Sequence, residues 1–430
     1  METDATRICE LLVGLPEVRV LGVAADDAEG RLVVRVELRG ERPGCAECGL
    51  IAWVKDRRDV TLVDLPCFGR PARLVWRKRR WRCPERCPTG SWTGEDPRIA
   101  PARAAMTDRA ARWCCEQVGR LGRTVAEVAK ELGCDWHTVN GAVIAYGAPL
   151  VEDPARIGPV TALGLDETLF CRTGPWRRQL WCTSIVDVLA GQLLDVVAGR
   201  TAAGPTGWLL ERDEAWRKAI RRGVLDLSGP YRKTFTDALP HAVQVADPFH
   251  LVKLANSKLD ECRRRVQNDT MGHRGRKDDP LYRARRLLTK AHERLDDHGE
   301  QKLLGLLGAG DPKGEVRMTW HAKEVVRSIY DISDPVLAAE FVDQLAEDLQ
   351  DLECPPEVRS LGRTMKRWRD QIVAWHEARV SNGPTEAANN LIKRIKRVGF
   401  GFRRFSHYRI RVLLYAGKPN WDLLATITPH

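Results

Sequence analysis

The sequence has no apolar run approaching the length of a membrane span. Its start, "METDATRICELLVG", lacks the basic segment and long apolar stretch of an export signal. The expectation is a cytosolic protein without a membrane partner. A disulfide framework is missing as well: the 13 cysteines are odd in number and scattered, and only four of them stand in paired spacing. One stretch, Asn382 to Phe405, is nearly devoid of acid, with Glu386 alone among six basic residues. Positive charge, by contrast, is abundant. The net charge of +11 and a pI of about 9.1 point to a polyanionic partner, nucleic acid first. With 430 residues and 43% hydrophobic content the chain is globular, and its length predicts roughly two to four domains.

Alternation in "VRVLGV" and "RLVVRVEL" predicts a β-hairpin over residues 16–40, turning at Asp26–Gly30. Next come "PGCAECG" and "RWRCPERCP". Each sets two cysteines in a Gly/Pro-rich turn, and the strand-like "ARLVWRKRRW" between them can bring the turns together. Cys45, Cys48, Cys83 and Cys87 then supply the four soft ligands of a structural tetrahedral zinc ion, although four idle thiols would read the same way. The run Arg77, Lys78, Arg79 and Arg80 suits phosphate contact and equally suits a solvated surface. Residues 101–122 read as a basic helix. In "TVAEVAKELGCDWHTVNGAVIAYG", Val125, Val128, Ala129 and Leu132 share one helical face, and Gly133 suits a left-handed turn. A second helix carries Trp136, Val139 and Val143 inward. This is the helix-turn-helix pattern, with His137, Thr138 and Asn140 as candidate groove-facing residues. An ordinary helical hairpin fits too, but the basic charge and the cysteine module beside it favour DNA binding. "APLVEDPARIGP" reads as a linker.

After the linker the pattern turns to strands. "VTALGLDE", "QLWCTSIVDV" and "QLLDVVAGR" are followed by a helix over 203–222, a strand ending at Asp226, a short helix in "YRKTFTDAL", and the strand of "HAVQVADPFH". The order βββαβαβ is similar to a ribonuclease-H-like core. It sets Asp166 on the central strand and Asp226 on a neighbour. Carboxylates so placed repel unless hard cations bridge them, and two Mg²⁺ (or Mn²⁺) ions about 4 Å apart can drive phosphodiester displacement. Glu386 is the candidate third ligand, in the first turn of a helix whose expected buried stripe is Ala387, Leu391, Ile395 and Val398. Glu386, Asn390, Lys393 and Arg397 would share its polar side, the glutamate toward metal and the bases toward phosphate. Asp187 and Asp195 are expected to be structural, Glu167 to point to the opposite face of its strand, and Asp237 to be solvated. Asp247, beside His250, rivals Asp226 as the second ligand.

"LGLDE", "LDLSGPYR…LPHAVQVADPFHLVKLAN" and "SNGPTEAANNLIKRIKRVGFGFRRFSHYRIRVLLY" resemble the DDE-type transposases of bacterial insertion sequences, in the group written ISL-three, over nearly the whole chain. The resemblance implies a zinc-binding N-terminal module, a helix-turn-helix and a ribonuclease-H-like domain with a helical insertion. It implies Asp166, Asp226 and Glu386 as the catalytic triad. DNA cleavage and strand transfer at terminal inverted repeats are implied with it, as is a supporting role for Asp247 and His250.

The expected architecture is therefore multidomain α+β. Residues 1–98 form the zinc module, 99–150 the helix-turn-helix, 158–255 and 381–430 the two parts of the core, and 256–380 an all-helical insertion. Trp320, Trp368 and Trp375 of the insertion are expected to pack its core, with base stacking as the alternative. Arg403, Arg404, Arg409 and Arg411 are candidates to line a DNA path. Double-stranded DNA is the expected partner, as inverted repeats and as target, and two ends to be paired call for a homodimer or larger assembly. The competing reading is a helix-turn-helix regulator with a catalytically dead core; a structure-selective nuclease sharing the core is a third.

Overall fold

The computed structural model describes residues 2–85 and 87–428, and the chain divides into two compact units, Met1–Ile157 with Leu391–His430 and Gly158–Asn390. The first unit begins with α1 (Ala5–Val13). Strands β1 (Val18–Asp26) and β2 (Arg31–Leu38) form the hairpin that the alternation predicts. A longer antiparallel hairpin follows, β3 (Trp53–Cys67) with β4 (Arg70–Arg82). Because β4 also lies parallel to β2 and carries the short β5 (Ser91–Thr93), the order is β1-β2-β4-β3. Val36, Leu62, Leu74 and Trp76 close one face of this sheet, each large apolar side chain contributing about 2 kcal/mol on burial.

Residues 101–107 precede, rather than form, the next helix, α2 (Asp108–Cys115), which continues through one π turn to Arg120. Then come α3 (Val125–Leu132) and α4 (Trp136–Glu152). Thr124 and Glu127 cap the start of α3 reciprocally, and Gly133 ends it at φ +60°, where a Cβ would be penalised. Asp135 caps α4. Val125, Val128, Ala129, Leu132, Val139 and Val143 are buried as the periodicity requires, whereas Trp136, expected inward, is 46% exposed at the first position of its helix. The expected linker is shorter than its composition suggests, because α4 runs on through Pro149.

The second unit holds a five-stranded mixed sheet. Strands β6 (Ala162–Thr173), β7 (Arg178–Asp187) and β8 (Gln192–Ala198) are antiparallel neighbours. Where one helix was expected there are two, α5 (Ala203–Leu210) and α6 (Glu214–Ala219), since Asp213 turns extended between them. Strand β9 (Arg222–Leu225), α7 (Gly229–Ala238) and β10 (Val243–Ala246) complete the order β10-β9-β6-β7-β8, with β9 and β10 parallel to β6. Seven helices follow: α8 (Pro248–Met271), α9 (Pro280–Thr289), α10 (Asp297–Gly310), α11 (Glu315–Ser328), α12 (Pro335–Asp348), α13 (Pro356–Arg367) and α14 (Arg369–Ala378). Helices α8 to α11 share a separate core of Leu259, Val266, Leu281, Leu303, Val316 and Trp320. Trp368 is buried and Trp375 packs toward Val224 and Val245, so all three tryptophans of this region serve packing.

Helix α15 (Gly383–Val398) begins in the second unit, and the division falls within it. Residues 391–430, including α16 (Phe405–Ala416), group with the N-terminal part of the chain. The buried stripe of α15 is also one residue out of the expected phase. Ala388, Asn389, Ile392 and Ile395 are buried, while Ala387 and Leu391 are exposed. Thr385 sets this phase. It lies over Gly164 so closely that a Cβ there would come within 2.3 Å of its Oγ1. Among the described residues no helix is long and apolar enough to cross a membrane.

Candidate active site and metal centre

The register Leu165↔Leu225 between parallel strands makes Asp166 and Asp226 the next residues on the two chains, where the pairing of β6 with β9 stops: Asp226 just past the end of β9, Asp166 within β6, which runs on to Thr173. Asp166 is held from two sides. Its Oδ1 accepts the N–H of Glu167 at 2.7 Å, and its Oδ2 accepts Nδ2 of Asn389 at 2.7 Å. Asn389 is itself fixed, because its Oδ1 accepts the hydroxyls of Thr168 (2.9 Å) and Ser184 (2.6 Å). Two donors on one side and a carboxylate on the other assign the amide orientation without ambiguity. Asp226 is treated differently. Its Oδ1 is enclosed and has no hydrogen-bond partner. Burial, then the negative charges of Asp166 and Glu167, push its carboxyl up to about 7 against the opposing pull of Lys253.

Asp247 follows β10, one strand further from Asp166, and stands at the N-cap position of α8 without its side chain capping that helix. Its Oδ1 accepts the backbone N–H of Asn382 at 2.8 Å, and Asn382 in turn accepts the first helical bond of α15, from Glu386 N–H. Asp247 therefore anchors the helix that carries Glu386. The Glu386 carboxylate is 41% exposed, with Oε1 3.5 Å from Nε2 of His250 in the first turn of α8. Glu167 pairs in register with Thr183, whose hydroxyl meets Tyr231 of α7 at 3.2 Å, whereas Thr168 and Ser184 meet α15. It thus stands on the opposite face of β6, as alternation requires, yet near enough to act on Asp226. Burial, then Asp166, raise its own carboxyl, with Arg200 opposing. Asp187 and Asp195 have local duties: the first accepts the N–H groups of Leu189 and Ala190, the second the indole N–H of Trp208 at 2.9 Å. Asp237 pairs with Lys233 at 2.8 Å. The sequence reading missed Asn389, although its position one helical turn after Glu386 in "EAANN" was the available signal.

A different geometry holds in the first unit. The ligand atoms of Cys45, Cys48, Cys83 and Cys87 lie within 4.8 Å of one another, and among the described residues this is the one such cluster; Asp166, Asp226 and Glu386 do not converge so far. The cause is the β3–β4 hairpin, whose base pairs Trp53 with Arg82 and brings the turn before β3 against the turn after β4. Each turn is closed by its own backbone bonds, Gly49 N–H to Cys45 O and Gly90 N–H to Cys87 O. Glu47 ties them together by accepting the N–H and hydroxyl of Thr89. Neighbouring thiols push the Cys87 thiol up to about 12. Burial opposes the Cys83 thiolate, but hydrogen bonds from the Cys87 backbone and the thiols bring it down to about 7. Four sulfurs so close fit a soft tetrahedral cation, which takes them as thiolates; the cluster supports structural zinc.

The basic residues divide sharply. Arg77, Lys78, Arg79 and Arg80 each face a carboxylate of their own unit, namely Asp59, Glu95, Glu37 and Asp56, so the run is internally paired rather than free for phosphate. His137, Lys393, Arg397, Arg403 and Arg404 are exposed. The Thr138 hydroxyl donates to the capping Asp135 at 2.5 Å. Asn140, expected to face a groove, is buried with its amide 3.5 Å from His407. Arg409 pairs with Glu152, and Arg411 is buried, so neither is an exposed surface cation like Arg403 and Arg404.

Comparison with known proteins finds three successive matches along the chain. A family model described as a transposase matches residues 163–412, one for the helix-turn-helix domain of transposase family ISL3 matches 95–147, and one for the zinc-finger of the IS204/IS1001/IS1096/IS1165 transposases matches 41–87. The transposase for insertion sequence element IS1557 of Mycobacterium tuberculosis is 28% identical over 342 residues, 72% of this chain and 74% of that protein. The transposase for IS1001 of Bordetella parapertussis is 23% identical over 378 residues, 86% and 87% of the two chains. A solved structure, the Drosophila P element transposase strand transfer complex, aligns with a TM-score of 0.39 at 10% identity, over 74% of this chain and 94% of the other. The transposase match alone spans more than half of the sequence, and the chain belongs to the ISL3 family of transposases.

Proposed function

We propose that this transposase cuts and joins DNA at the terminal inverted repeats of its insertion sequence through Asp166, Asp226 and Glu386, on a ribonuclease-H-like core interrupted by the helices of 256–380. The observation that carries the reading is the Asp166–Asp226 pair on two adjoining parallel strands, with Asp226 Oδ1 enclosed and unbonded. A buried oxygen without a donor beside a second carboxylate suits a hard divalent cation, and Asp166, Asp226 and Glu386 would hold it. When bound, such cations (Mg²⁺, or Mn²⁺) activate an attacking oxygen and relieve charge on the leaving one.

The chain supplies the rest. Asn389 fixes the direction of the Asp166 carboxylate, and Asp247 fixes the start of the helix bearing Glu386. His250 stands where it can hold the Glu386 carboxylate in place. The Asp226 carboxyl, pushed up to about 7 by burial and by Asp166 and Glu167, would be stabilised as the carboxylate by a bound cation. Exposed His137, Lys393, Arg397, Arg403 and Arg404, with Thr138, contact DNA, and pairing of two ends makes the working assembly a homodimer or larger.

The test is excision of a marked element, flanked by the gene's own ends, from a donor plasmid in cells. Wild type excises; Asp226→Asn and Glu386→Gln do not; Asp247→Asn retains part of the activity. Loss in Asp247→Asn with full activity in Asp226→Asn moves the second ligand to Asp247. Binding to those ends without excision by wild type replaces the enzyme reading with that of a DNA-binding regulator.

A further inference from the structure

The first unit contains a cavity of about 520 Å³ that the cleavage chemistry leaves unused. The first turns of α3 and α4 line it, with the segment Gly399–Arg404 and two residues of α16, His407 and Arg411. Arg411 is the unusual member. It is 2% exposed, and its Nε and Nη2 have no hydrogen-bond partner. Burial alone pulls its guanidinium down to about 10; no carboxylate offsets that cost. Its one evident favourable contact is the Phe402 ring, 5.7 Å away. None of the described residues lining the cavity is acidic. A buried cation left without a counter-charge is costly, and an anion entering the cavity would remove that cost.

The volume exceeds what a phosphate needs and falls in the range of pockets that take a whole small molecule. The wall also offers aromatic surface to water: Trp136 is 46% exposed, and Phe400 is 92% exposed at φ +50°, a conformation unfavourable for a bulky residue. Rings presented in this way suit stacking on a base.

We propose that this cavity receives one unpaired nucleotide of bound DNA, its phosphate on Arg411 and its base against Trp136 or Phe400. The proposal rests on the DNA-binding reading above and adds to it a single-nucleotide site that a fully paired duplex cannot fill.

The experiment uses the full chain and duplexes of the element's own end, carrying 2-aminopurine at successive positions, with binding followed by fluorescence anisotropy. At one position the probe should brighten on binding, and a mismatch there should tighten binding about tenfold or more, because it removes part of the cost of unpairing that nucleotide. Arg411→Met and Trp136→Ala should each abolish both effects. Phe400→Ala, a change at the surface, guards against a folding defect at the buried arginine and should weaken them. Wild type binding the duplex with no position brightening overturns the proposal and leaves the transposase reading intact, as does an unchanged signal in all three variants. Inorganic phosphate or dAMP stabilising wild type but not Arg411→Met, with no response to DNA, assigns the cavity to a free ligand and also overturns it. Failure of wild type to bind any end duplex removes the DNA-binding reading, and this proposal with it.

Discussion

The cysteine cluster and the proposed carboxylate site are built in opposite ways. The cysteine set of the first unit comes from two tight turns at the base of one hairpin, each closed by its own backbone bonds, and its four sulfurs already converge. The carboxylate set of the second unit comes from the middle of one strand, the end of its neighbour and a helix far along the chain, and it does not converge. Instead it keeps one buried oxygen unbonded and one carboxyl partly protonated. Closure suits an ion that only holds structure. An open, charge-strained site suits ions that must also admit substrate oxygens.

The largest effect that can break this contrast is loss of the ion from the cysteine cluster. Structural zinc contributes on the order of 10 kcal/mol in zinc-finger peptides, far more than a small β-module gains from its core. Cys83→Ser, or chelation, should unfold the residues around both turns and release about one zinc per chain. Hydrogen exchange of residues 41–95 and elemental analysis check both. Retained protection after metal removal would mean that Glu47, Thr89 and the hairpin suffice, and that the cluster is not structural.

The carboxylate site should respond in the reverse sense, since removing a ligand there relieves strain. Asp226→Asn should lower excision by about a thousandfold or more, the scale expected when charge stabilisation in the transition state is lost. In magnesium-free buffer the same change should raise the melting temperature at pH 8. The folded pKa of Asp226, about 7, lies above its unfolded value, so the native state binds more protons between the two. Stability from this group is full below the unfolded pKa and falls as pH rises through about 7. The advantage of Asp226→Asn should therefore grow from pH 5 to pH 8 and shrink when magnesium is added. A variant less stable than wild type at pH 8 would show that Asp226 is not strained.

How far these sites could be read in advance follows from the distance over which their causes act. The hairpin of 16–40, the helix-turn-helix face and the strands through Asp166 and Asp226 are set by neighbours a few residues apart, so periodicity located them. The phase of α15 was misjudged by one residue because Gly164, more than two hundred positions earlier, receives Thr385 and rotates the helix. The same rotation buries Asn389 and turns it toward Asp166, so a residue that reads as an ordinary polar position becomes the hub of three side-chain hydrogen bonds. The Arg77–Arg80 run misled for a similar reason: its partners Glu37, Asp56, Asp59 and Glu95 come from other strands and a loop, and only the sheet brings them opposite.

Asn389 yields the next prediction in order of size. Asn389→Leu keeps the volume and removes the amide, which leaves the Thr168 and Ser184 hydroxyls and one side of Asp166 without partners. Outer-shell losses of this kind cost about 10–100-fold in metal affinity or activity. Calorimetric titration with Mg²⁺ or Mn²⁺ should show that weakening, with binding at the cysteine cluster unaltered. Equal loss at both clusters would point to general unfolding rather than to the orientation of Asp166.

The smallest effect tests the basic run. If Arg77 and Arg80 serve only surface ion pairs, Arg77→Ala and Arg80→Ala should change stability by less than about 1 kcal/mol. The salt dependence of binding to the element's ends should also stay the same, because neutralising one phosphate fewer lowers the slope of log affinity against log salt by about 0.9. Arg403→Ala and Arg404→Ala, at exposed positions, should each lower it by that amount. A slope that falls for Arg77→Ala would mean that DNA displaces Asp59 from its partner, so that the paired run is a reserve of phosphate-binding groups held closed in the free protein.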